Sequence, residues 1–283
     1  MSGTLYVVAT PIGNRDDITL RALSVLRQVA IIASEDTRVT RTLLRHHGIE
    51  SPRLVSCHDH NERDRVSGIV HNLESGDDVA LLSDAGTPLL SDPGYVVVRD
   101  VISRGLPVCV VPGASAAIAA LVVSGLPAND VRFVGFLPRA EGPRRAAYAA
   151  LASSPTTLVL YESPHRIVAS LTDALEAFGD RRAVLAIGLT KATEQVVRGN
   201  LTELLDALSQ IAVIRGEMTV VVDGLDRSTT NLPGHFDEAV RSLLDAGVAP
   251  TRIRDALALV VEAPRNAVYE RVLAVRATAS MKP

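Results

Sequence analysis

Short apolar runs alternate with amphipathic stretches through most of the chain. The runs 5–8 and 79–82 are uninterrupted, and polar loop residues follow each of them. Between such runs, Leu20, Leu23 and Leu26 recur at the spacing of one helix face. Strands that are apolar on both faces are typical of a parallel sheet covered by helices. The pattern therefore predicts an α/β fold.

The same pattern places the individual elements. A short strand ends at Cys57, and the segment after Pro138, with Arg144 and Arg145, is predicted as a loop. The other predicted strands are 5–8, 29–33, 79–82, 107–111, 131–136, 156–160, 183–187 and 218–222.

Three domains follow from these elements. The first α/β domain is predicted over 1–117, and the alternation repeats in a second domain over 118–227. Polar, turn-forming residues at 226–234 predict a linker. A carboxy-terminal domain over 235–278 is predicted to hold three short amphipathic helices, at 236–246, 251–261 and 264–275.

Composition narrows the class of protein. Hydrophobic residues make up 47% of the chain and aromatic residues 3%, which predicts a core of aliphatic side chains. No apolar run approaches the ~18–20 residues that cross a bilayer, and the amino terminus lacks a signal-peptide pattern. Two cysteines are too few for a disulfide framework. We expect a cytoplasmic protein. Its net charge of −3 leaves room for a local basic patch that binds nucleic acid.

Polar and turn-forming residues collect where the predicted strands end. The loop 83–94 follows the apolar run 79–82 and contains two Ser, two Asp, two Gly and two Pro. Ligands of open α/β sheets bind beyond the carboxyl ends of the strands. On residue types alone, a cofactor cleft and ordinary turn chemistry are equal alternatives.

Several common sites are excluded by their motifs. No Gly-x-Gly pair occurs, so the dinucleotide-binding fingerprint is absent, and there is no Walker A motif. Cys57, His58 and His60 imitate part of a zinc site, but nothing near them in the sequence completes the ligand set. We predict no metal site.

An ordered series of loop motifs identifies a family. It resembles the 16S rRNA (cytidine 2′-O)-methyltransferase I branch of the tetrapyrrole (corrin/porphyrin) methylase superfamily, over roughly residues 4–275. The motifs are Ala-Thr-Pro-Ile-Gly-Asn at 9–14, Glu-Asp-Thr-Arg at 35–38, His-Asp-His-Asn-Glu at 58–62, Ser-Asp-Ala-Gly-Thr-Pro at 83–88, Asp-Pro-Gly at 92–94, Pro-Gly-Ala-Ser-Ala at 112–116, Gly-Phe-Leu-Pro at 135–138, Tyr-Glu-Ser-Pro-His-Arg at 161–166, Leu-Thr-Lys at 189–191 and Arg-Gly-Glu-Met-Thr at 215–219.

The resemblance implies a two-lobed α/β methylase with a cleft between its lobes and a small carboxy-terminal helical domain. It implies S-adenosyl-L-methionine as cofactor, a homodimer, and a ribose 2′-O-methyl group on a decoding-centre cytidine of 16S rRNA in the 30S subunit. Tetrapyrrole-making relatives carry a Gly-x-Gly loop after the first strand. Here residues 9–14 occupy that place, which argues against a porphyrin or corrin substrate.

By motif position, the resemblance places the cofactor between two sets of residues. Asp84 is suited to accept hydrogen bonds from a ribose diol or an ammonium group, and the alternative is that it caps the turn that follows it. Tyr161 either faces the adenine or only packs against its neighbours in the protein. The first set is Pro11, Ile12, Asp84, Thr87, Ser115 and Ala116; the second is Tyr161, Leu189 and Met218.

The main candidates for the group that accepts the proton of the ribose hydroxyl are Lys191, Asp36 and Glu35. Glu162 and Glu194 are further candidates. Only two of the 29 basic residues are lysines, which singles out Lys191 as a base or as a phosphate ligand. Positioning without any dedicated base is also open.

Arginines on the same loops predict the RNA contact. Phosphate contacts position a strand, and their strength falls steeply with salt concentration. The candidates are Arg15, Arg38, Arg41, Arg45, Arg139, Arg144 and Arg145.

Two other functions compete with this interpretation. One is a small-molecule methyltransferase of the tetrapyrrole type, which would need a closed, deep pocket. The other is a non-catalytic RNA-binding or assembly factor, which S-adenosylmethionine would not stabilise.

Overall fold

The chain folds into two compact units. The computed structural model describes residues 1–50, 52–211, 213–225, 235–261 and 265–279. The first unit comprises 1–151 and 157–222, and the second comprises 152–156 and the described residues from 223 onward. The predicted linker at 226–234 and the predicted helix start at Pro264 lie outside the described residues.

The first sheet is entirely parallel, as the apolar runs predict. Its strand order is β3-β2-β4-β1-β5, so β4 and β1 are neighbours. The connection that leaves β1 leads to β2 on one side of this pair, and the connection that leaves β4 leads to β5 on the other side. Such a switch point leaves a crevice beyond the strand ends. The strands are β1 (Leu5–Val8), β2 (Ile31–Ser34), β3 (Arg53–Ser56), β4 (Val79–Leu82) and β5 (Val108–Val111).

Helices cover both faces of this sheet. Those on one face are α1 (Leu20–Gln28) and α2 (Thr37–His46), which bury Leu26 and Leu44 against Ile32. Those on the other are α3 (Glu62–Glu74) and α4 (Tyr95–Ser103). Burial of one apolar stripe per helix accounts for this first lobe.

A buried carboxylate fixes the long loop 83–94 where it enters α4. Glu62 is 6% exposed, and its Oε1 accepts the backbone N–H groups of Gly94, Val96 and Val97 at 3.0, 2.7 and 3.2 Å. A negative charge at a helix amino terminus also complements the helix dipole. The loop after β4 is therefore anchored where it enters α4.

The second sheet differs from the first in direction. Its order is β6-β7-β10-β8-β9, and only β6 and β7 run parallel. Strands and helices alternate here as they do in the first lobe, but the second sheet is mixed rather than parallel. The strands are β6 (Val131–Phe136), β7 (Thr157–Glu162), β8 (Arg182–Ile187), β9 (Gln195–Asn200) and β10 (Met218–Val222), and the helices are α5 (Ala116–Ser124), α6 (Glu141–Leu151), α7 (Ile167–Phe178) and α8 (Leu201–Ser209).

Two elements of the second lobe were not predicted. The segment predicted as a loop is helix α6, which buries Tyr148 and Leu151. Strand β9 was missed because it is a half-exposed edge strand with a weak apolar pattern.

The predicted boundary at residue 117 divides a helix. Ala117 and Ala120 of α5 pack against Val159, Val184 and Val221 of the second sheet. All of α5 therefore belongs to the second lobe, and the two lobes share one compact unit.

The second unit is helical, as predicted. It contains α9 (Phe236–Asp245), α10 (Pro250–Val260) and α11 (Arg265–Ala279), whose core includes Phe236 and Val272. Within the described residues, no helix has the length and apolar character that spanning a membrane requires.

Candidate active site

The loops after β1 and β4 meet at the switch point of the first sheet. The N–H of Thr10 donates to the Gly86 carbonyl at 2.8 Å, and the N–H of Gly86 donates to the Thr10 carbonyl at 3.1 Å. Gly86 has φ +82°, which glycine adopts without steric cost. The bridge places Pro11 and Ile12 beside Asp84.

A second set of bonds joins these loops to α5 and the second lobe. The Thr87 hydroxyl donates to the Ala114 carbonyl at 3.1 Å. The Tyr161 hydroxyl accepts the N–H of Ala117 at 3.2 Å. Tyr161 is thus held by its hydroxyl at the start of α5.

Three of the predicted cofactor residues, Pro11, Leu189 and Met218, are buried. Leu189 and Met218 are 7% and 2% exposed, and Leu189 shares a core cluster with Ile12 and Tyr161. Any contact that they make with a cofactor would therefore come chiefly from the backbone. The nine predicted residues lie on loops or on the strand and helix ends beside them, with Tyr161 in β7, Met218 in β10 and Ala116 in α5.

The lobes touch directly next to these residues. The N–H of Asn14 donates to the Thr190 hydroxyl at 2.9 Å. A Cβ on Gly13 would lie 2.5 Å from the Leu189 carbonyl oxygen, so only glycine fits there. The β1 loop and the turn at 188–191 are therefore packed without space for a side chain.

A cavity of about 380 Å³ opens beside this contact. Asp84 from the first lobe and Lys191 from the second both line it, so the Asp84 loop and the turn that follows Leu189 face a common space. The rest of the lining is Thr10, Pro11, Ile12, Gly13, Arg15, Val39, Thr40, Thr42, Leu43, Ser83, Ala85 and Glu217.

Three carboxyl groups gather at the carboxyl edge of the first sheet. Burial raises the pKa of Asp92 to about 7, and the negative charge of Glu35 adds to the shift. Burial also raises the pKa of Glu35 and of Asp84, with the Asp84 charge contributing at Glu35. A carboxyl group that titrates near neutral pH is matched to general-base work.

The other two predicted proton acceptors are engaged with opposite charges. Hydrogen bonds from Arg38 lower the pKa of Asp36 to about 2, and the two side chains lie 2.6 Å apart. The Lys191 ammonium group is ion-paired with Glu217. Of the three candidates, Glu35 has the environment that suits a base.

The two further candidates for a proton acceptor, Glu162 and Glu194, are hydrogen-bonded within the protein. Glu162 is buried and pairs with Arg166 at 3.0 Å. The Glu194 side chain accepts the N–H of Thr190 at 2.6 Å, which stabilises the left-handed conformation of Thr190.

Four predicted RNA contacts share one basic surface. Arg38, Arg41 and Arg45 are exposed on α2. Arg15 lies in a short 3-10 helix (Arg15–Asp17), and its backbone carbonyl oxygen is 3.1 Å from Nε2 of His47. Arg139 is exposed in the second lobe. These five arginines remain candidates for phosphate contacts.

Arg144 is not available to RNA. It is 5% exposed and pairs with the equally buried Asp173 at 2.7 Å. Its place on the inner face of α6 explains the error, because a loop was expected there. Arg145, one residue on, is half-exposed and pairs with Glu176 and Glu141.

Arg144→Ala should lower the free energy of unfolding by ~3–5 kcal/mol, because it leaves the Asp173 carboxylate buried without a partner. Urea denaturation measures the loss. Arg145→Ala is the matched control, and its exposed pairs should contribute less than about 1 kcal/mol. Equal losses in the two variants would contradict the assignment.

Sequence reasoning did not select Asp92, Glu217 or Thr40 for the site. Asp92 lies in the family motif Asp-Pro-Gly, in the same loop as Asp84. A second carboxylate in that loop could have indicated that Asp92 belongs to the site. Glu217 lies in the motif Arg-Gly-Glu-Met-Thr, which was the available signal there, whereas Thr40 lies in no motif and only the fold brings it to the cavity.

Comparison with known proteins extends these observations. Residues 4–205 match the sequence profile of the Tetrapyrrole (Corrin/Porphyrin) Methylases. The chain is 48% identical to Ribosomal RNA small subunit methyltransferase I of Micromonospora olivasterospora, over 96% of this chain and 87% of that protein. It is 46% identical to the protein of the same name from Pseudomonas aeruginosa, over 96% of this chain and 97% of that one.

The fold is also shared with solved structures. A uroporphyrin-III C-methyltransferase from Thermus thermophilus, complexed with S-adenyl homocysteine, superimposes with a TM-score of 0.54. The two sequences are 20% identical, and the match covers 77% of this chain and 97% of that one. From the profile match, the relatives and the fold, we conclude that this chain belongs to the tetrapyrrole (corrin/porphyrin) methylase family, in the group of the small subunit ribosomal RNA methyltransferases I.

Proposed function

We propose that the protein transfers a methyl group from S-adenosyl-L-methionine to the ribose 2′-oxygen of a decoding-centre cytidine in 16S rRNA. The observation that carries the proposal is similarity along 96% of the chain to small subunit ribosomal RNA methyltransferases. The loop 9–14, without a Gly-x-Gly pair, further distinguishes the chain from the tetrapyrrole-making members.

The residues present suit this cofactor. The Asp84 Oδ1 accepts the N–H of Asp36 at 2.8 Å, which leaves other lone pairs of the carboxylate for hydroxyl or ammonium groups. The exposed backbone at Gly13 and Asn14 and the anchored ring of Tyr161 offer further polar and aromatic contacts. When bound, S-adenosylmethionine supplies a methyl group on a positively charged sulfur.

The chain's own contribution is alignment and proton removal. Alignment of two reactants can supply up to ~7–11 kcal/mol of the barrier reduction. The 2′-hydroxyl must also lose its proton, and we assign the acceptor to the carboxyl pair Glu35 and Asp92. Their raised pKa values are the reason.

Lys191→Ala should lose turnover and keep its affinity for S-adenosylmethionine, because we assign Lys191 to a phosphate of the RNA. Lys191→Arg separates the two roles left open by the sequence. Arginine keeps the positive charge but does not act as a base, so it should retain at least about a tenth of the wild-type rate. Single-turnover methylation measures both variants. A Lys191→Arg variant as inactive as Lys191→Ala would favour the base.

We infer that the RNA lies along the basic surface of Arg15, Arg38, Arg41 and Arg45, with Arg139 on the other lobe. Phosphate contacts of this kind make affinity depend steeply on salt. The ribosomal substrate and the free thiols of Cys57 and Cys109 favour a cytoplasmic location.

We also propose that two copies associate through the segment from α4 to α5. Exposed apolar side chains concentrate there, including Tyr95, Val110 and Val122 at 62%, 61% and 76% exposed. Strand β5 is moreover an uncovered edge of the first sheet. Light scattering should give about twice 30.1 kDa for the wild type and a lower mass for Val122→Asp. A monomeric wild type would contradict this.

The function is tested with labelled S-adenosylmethionine and purified ribosomal subunits. We expect label in the 16S rRNA of 30S subunits and none in 50S subunits. A thermal-shift measurement with the cofactor accompanies it. Absence of both label and stabilisation would favour a non-catalytic assembly factor instead.

A further inference from the structure

Most of the cavity wall lies outside the predicted cofactor set. Pro11, Ile12 and Asp84 belong to both, whereas the cavity lining does not include Thr87 or Tyr161. Its other wall is the inner face of α2. The cavity therefore adjoins the cofactor residues across the Asp84 loop and extends away from them.

Two cations stand where this cavity meets a second concavity. Gly13, Arg15 and Lys191 line both the 380 Å³ cavity and an open depression of about 530 Å³, which also includes His46. A pair of cations between two adjoining hollows suits a phosphate that links two nucleotides.

Apart from Arg15 and Lys191, the polar side chains of the cavity present acceptors. The Thr40 hydroxyl donates to the Asp36 carbonyl at 3.3 Å, and the Thr42 hydroxyl donates to the Arg38 carbonyl at 2.9 Å. Each hydroxyl has one hydrogen, so an occupant meets only its lone pairs. Asp84 adds a carboxylate. Such a lining complements an exocyclic amino group better than a carbonyl.

The remaining wall is apolar. Val39, Leu43, Ile12 and Pro11 offer a surface against which a flat ring can lie. The volume falls within the ~300–1,000 Å³ of small-ligand pockets. Enzymes that do chemistry on a base commonly take it out of the stack, and taking a nucleotide out of the stack also exposes its ribose.

We propose that this cavity receives the target nucleotide of the RNA, unstacked, with an amino-bearing base inside and its phosphate on Arg15 and Lys191. The proposal rests on the function proposed above, which already names a cytidine, and adds the site that binds the nucleotide and the lining that contacts its amino group. It places the ribose near Asp84, which separates the cavity from the predicted cofactor residues.

Filling the cavity tests the site. Val39→Trp should lower methylation of 30S subunits by about 100-fold or more, because displacing the ribose by about an ångström has that effect. Its affinity for S-adenosylmethionine, measured by calorimetry, should stay within about twofold of wild type. Val168→Trp is the matched control, since Val168 is a helix valine of similar exposure (47% against 44%) outside the cavity lining, and it should keep wild-type activity.

The outcomes separate the two proposals. Wild-type activity in Val39→Trp, or loss of cofactor binding in that variant, would overturn the nucleotide site. An inactive wild type would instead refute the proposed function. For the base, 30S subunits reconstituted with uridine at the target position should react about 10-fold or more slowly than those with cytidine. Equal rates would overturn the preference for an amino group.

Discussion

Asp92→Asn is expected to slow methylation by about 10²–10⁴-fold at pH 8, the usual contribution of a positioned proton acceptor. Asparagine keeps the size of the side chain and the contact with Ser83, but it cannot take a proton. Single-turnover transfer to 30S subunits, with saturating cofactor, measures the change. The affinity for S-adenosylmethionine should be preserved.

The wild-type pH profile gives a second readout of Asp92. Only the ionised carboxylate accepts a proton, so the rate should rise as pH increases through about 7. Asp92 is influenced by Glu35, Asp84 and Asp59, and it lies near the Tyr161 hydroxyl. Asp59→Asn removes one of these negative charges. It should therefore move the profile to lower pH and leave the rate at pH 8 nearly unchanged.

Asp92→Asn should lower the activity of the protein but raise its stability relative to wild type. The folded pKa of Asp92, about 7, exceeds the ordinary value of 3.8, so its ionisation destabilises the fold as pH rises through that interval. Asp92→Asn should therefore melt at a higher temperature than wild type at pH 8. At pH 4 the two should melt alike. Reduced stability together with reduced activity would mean that the substitution acts through misfolding.

Asp84→Asn should weaken S-adenosylmethionine binding by about 10–100-fold, the range for a hydrogen bond to a charged group. The amide oxygen can still accept the N–H of Asp36, so the loop should remain folded. The stabilisation by cofactor in a thermal melt should fall accordingly, since it depends on the ratio of concentration to dissociation constant.

Asp36→Asn is the control for this variant. Asparagine also caps helices well, so α2 should stay intact. Because the pKa of Asp36 is about 2, it is a weak base, and its loss should leave both cofactor affinity and rate within a few-fold of wild type. Unchanged cofactor binding in Asp84→Asn would remove Asp84 from the cofactor site.

The first lobe was predictable because its pattern is unambiguous. Runs such as 79–82 are apolar on both faces, and the loop 83–94 that follows is dense in turn residues. Helix α5 shows the limit of that reasoning. It is apolar on every side, so its sequence does not say which sheet it covers, and only packing assigns it to the second lobe.

The site was predictable as a set of loops but not as a set of charges. Asp36 and Lys191 have suitable functional groups, yet each is ion-paired, Asp36 with Arg38 and Lys191 with Glu217. Glu217 is 26 positions from Lys191 in the sequence, so no local pattern could reveal that pairing. Asp92 has its shifted pKa only because folding brings Glu35 beside it.

The central claim is that a ribose oxygen of 16S rRNA receives the methyl group, and alkaline hydrolysis tests it most directly. A 2′-O-methyl group removes the nucleophile that cleaves the adjoining linkage. After incubation of 30S subunits with wild-type protein and S-adenosylmethionine, we predict one new alkali-resistant linkage, 3′ to a cytidine. Methyl label in 16S rRNA that remains fully cleavable by alkali would contradict the account.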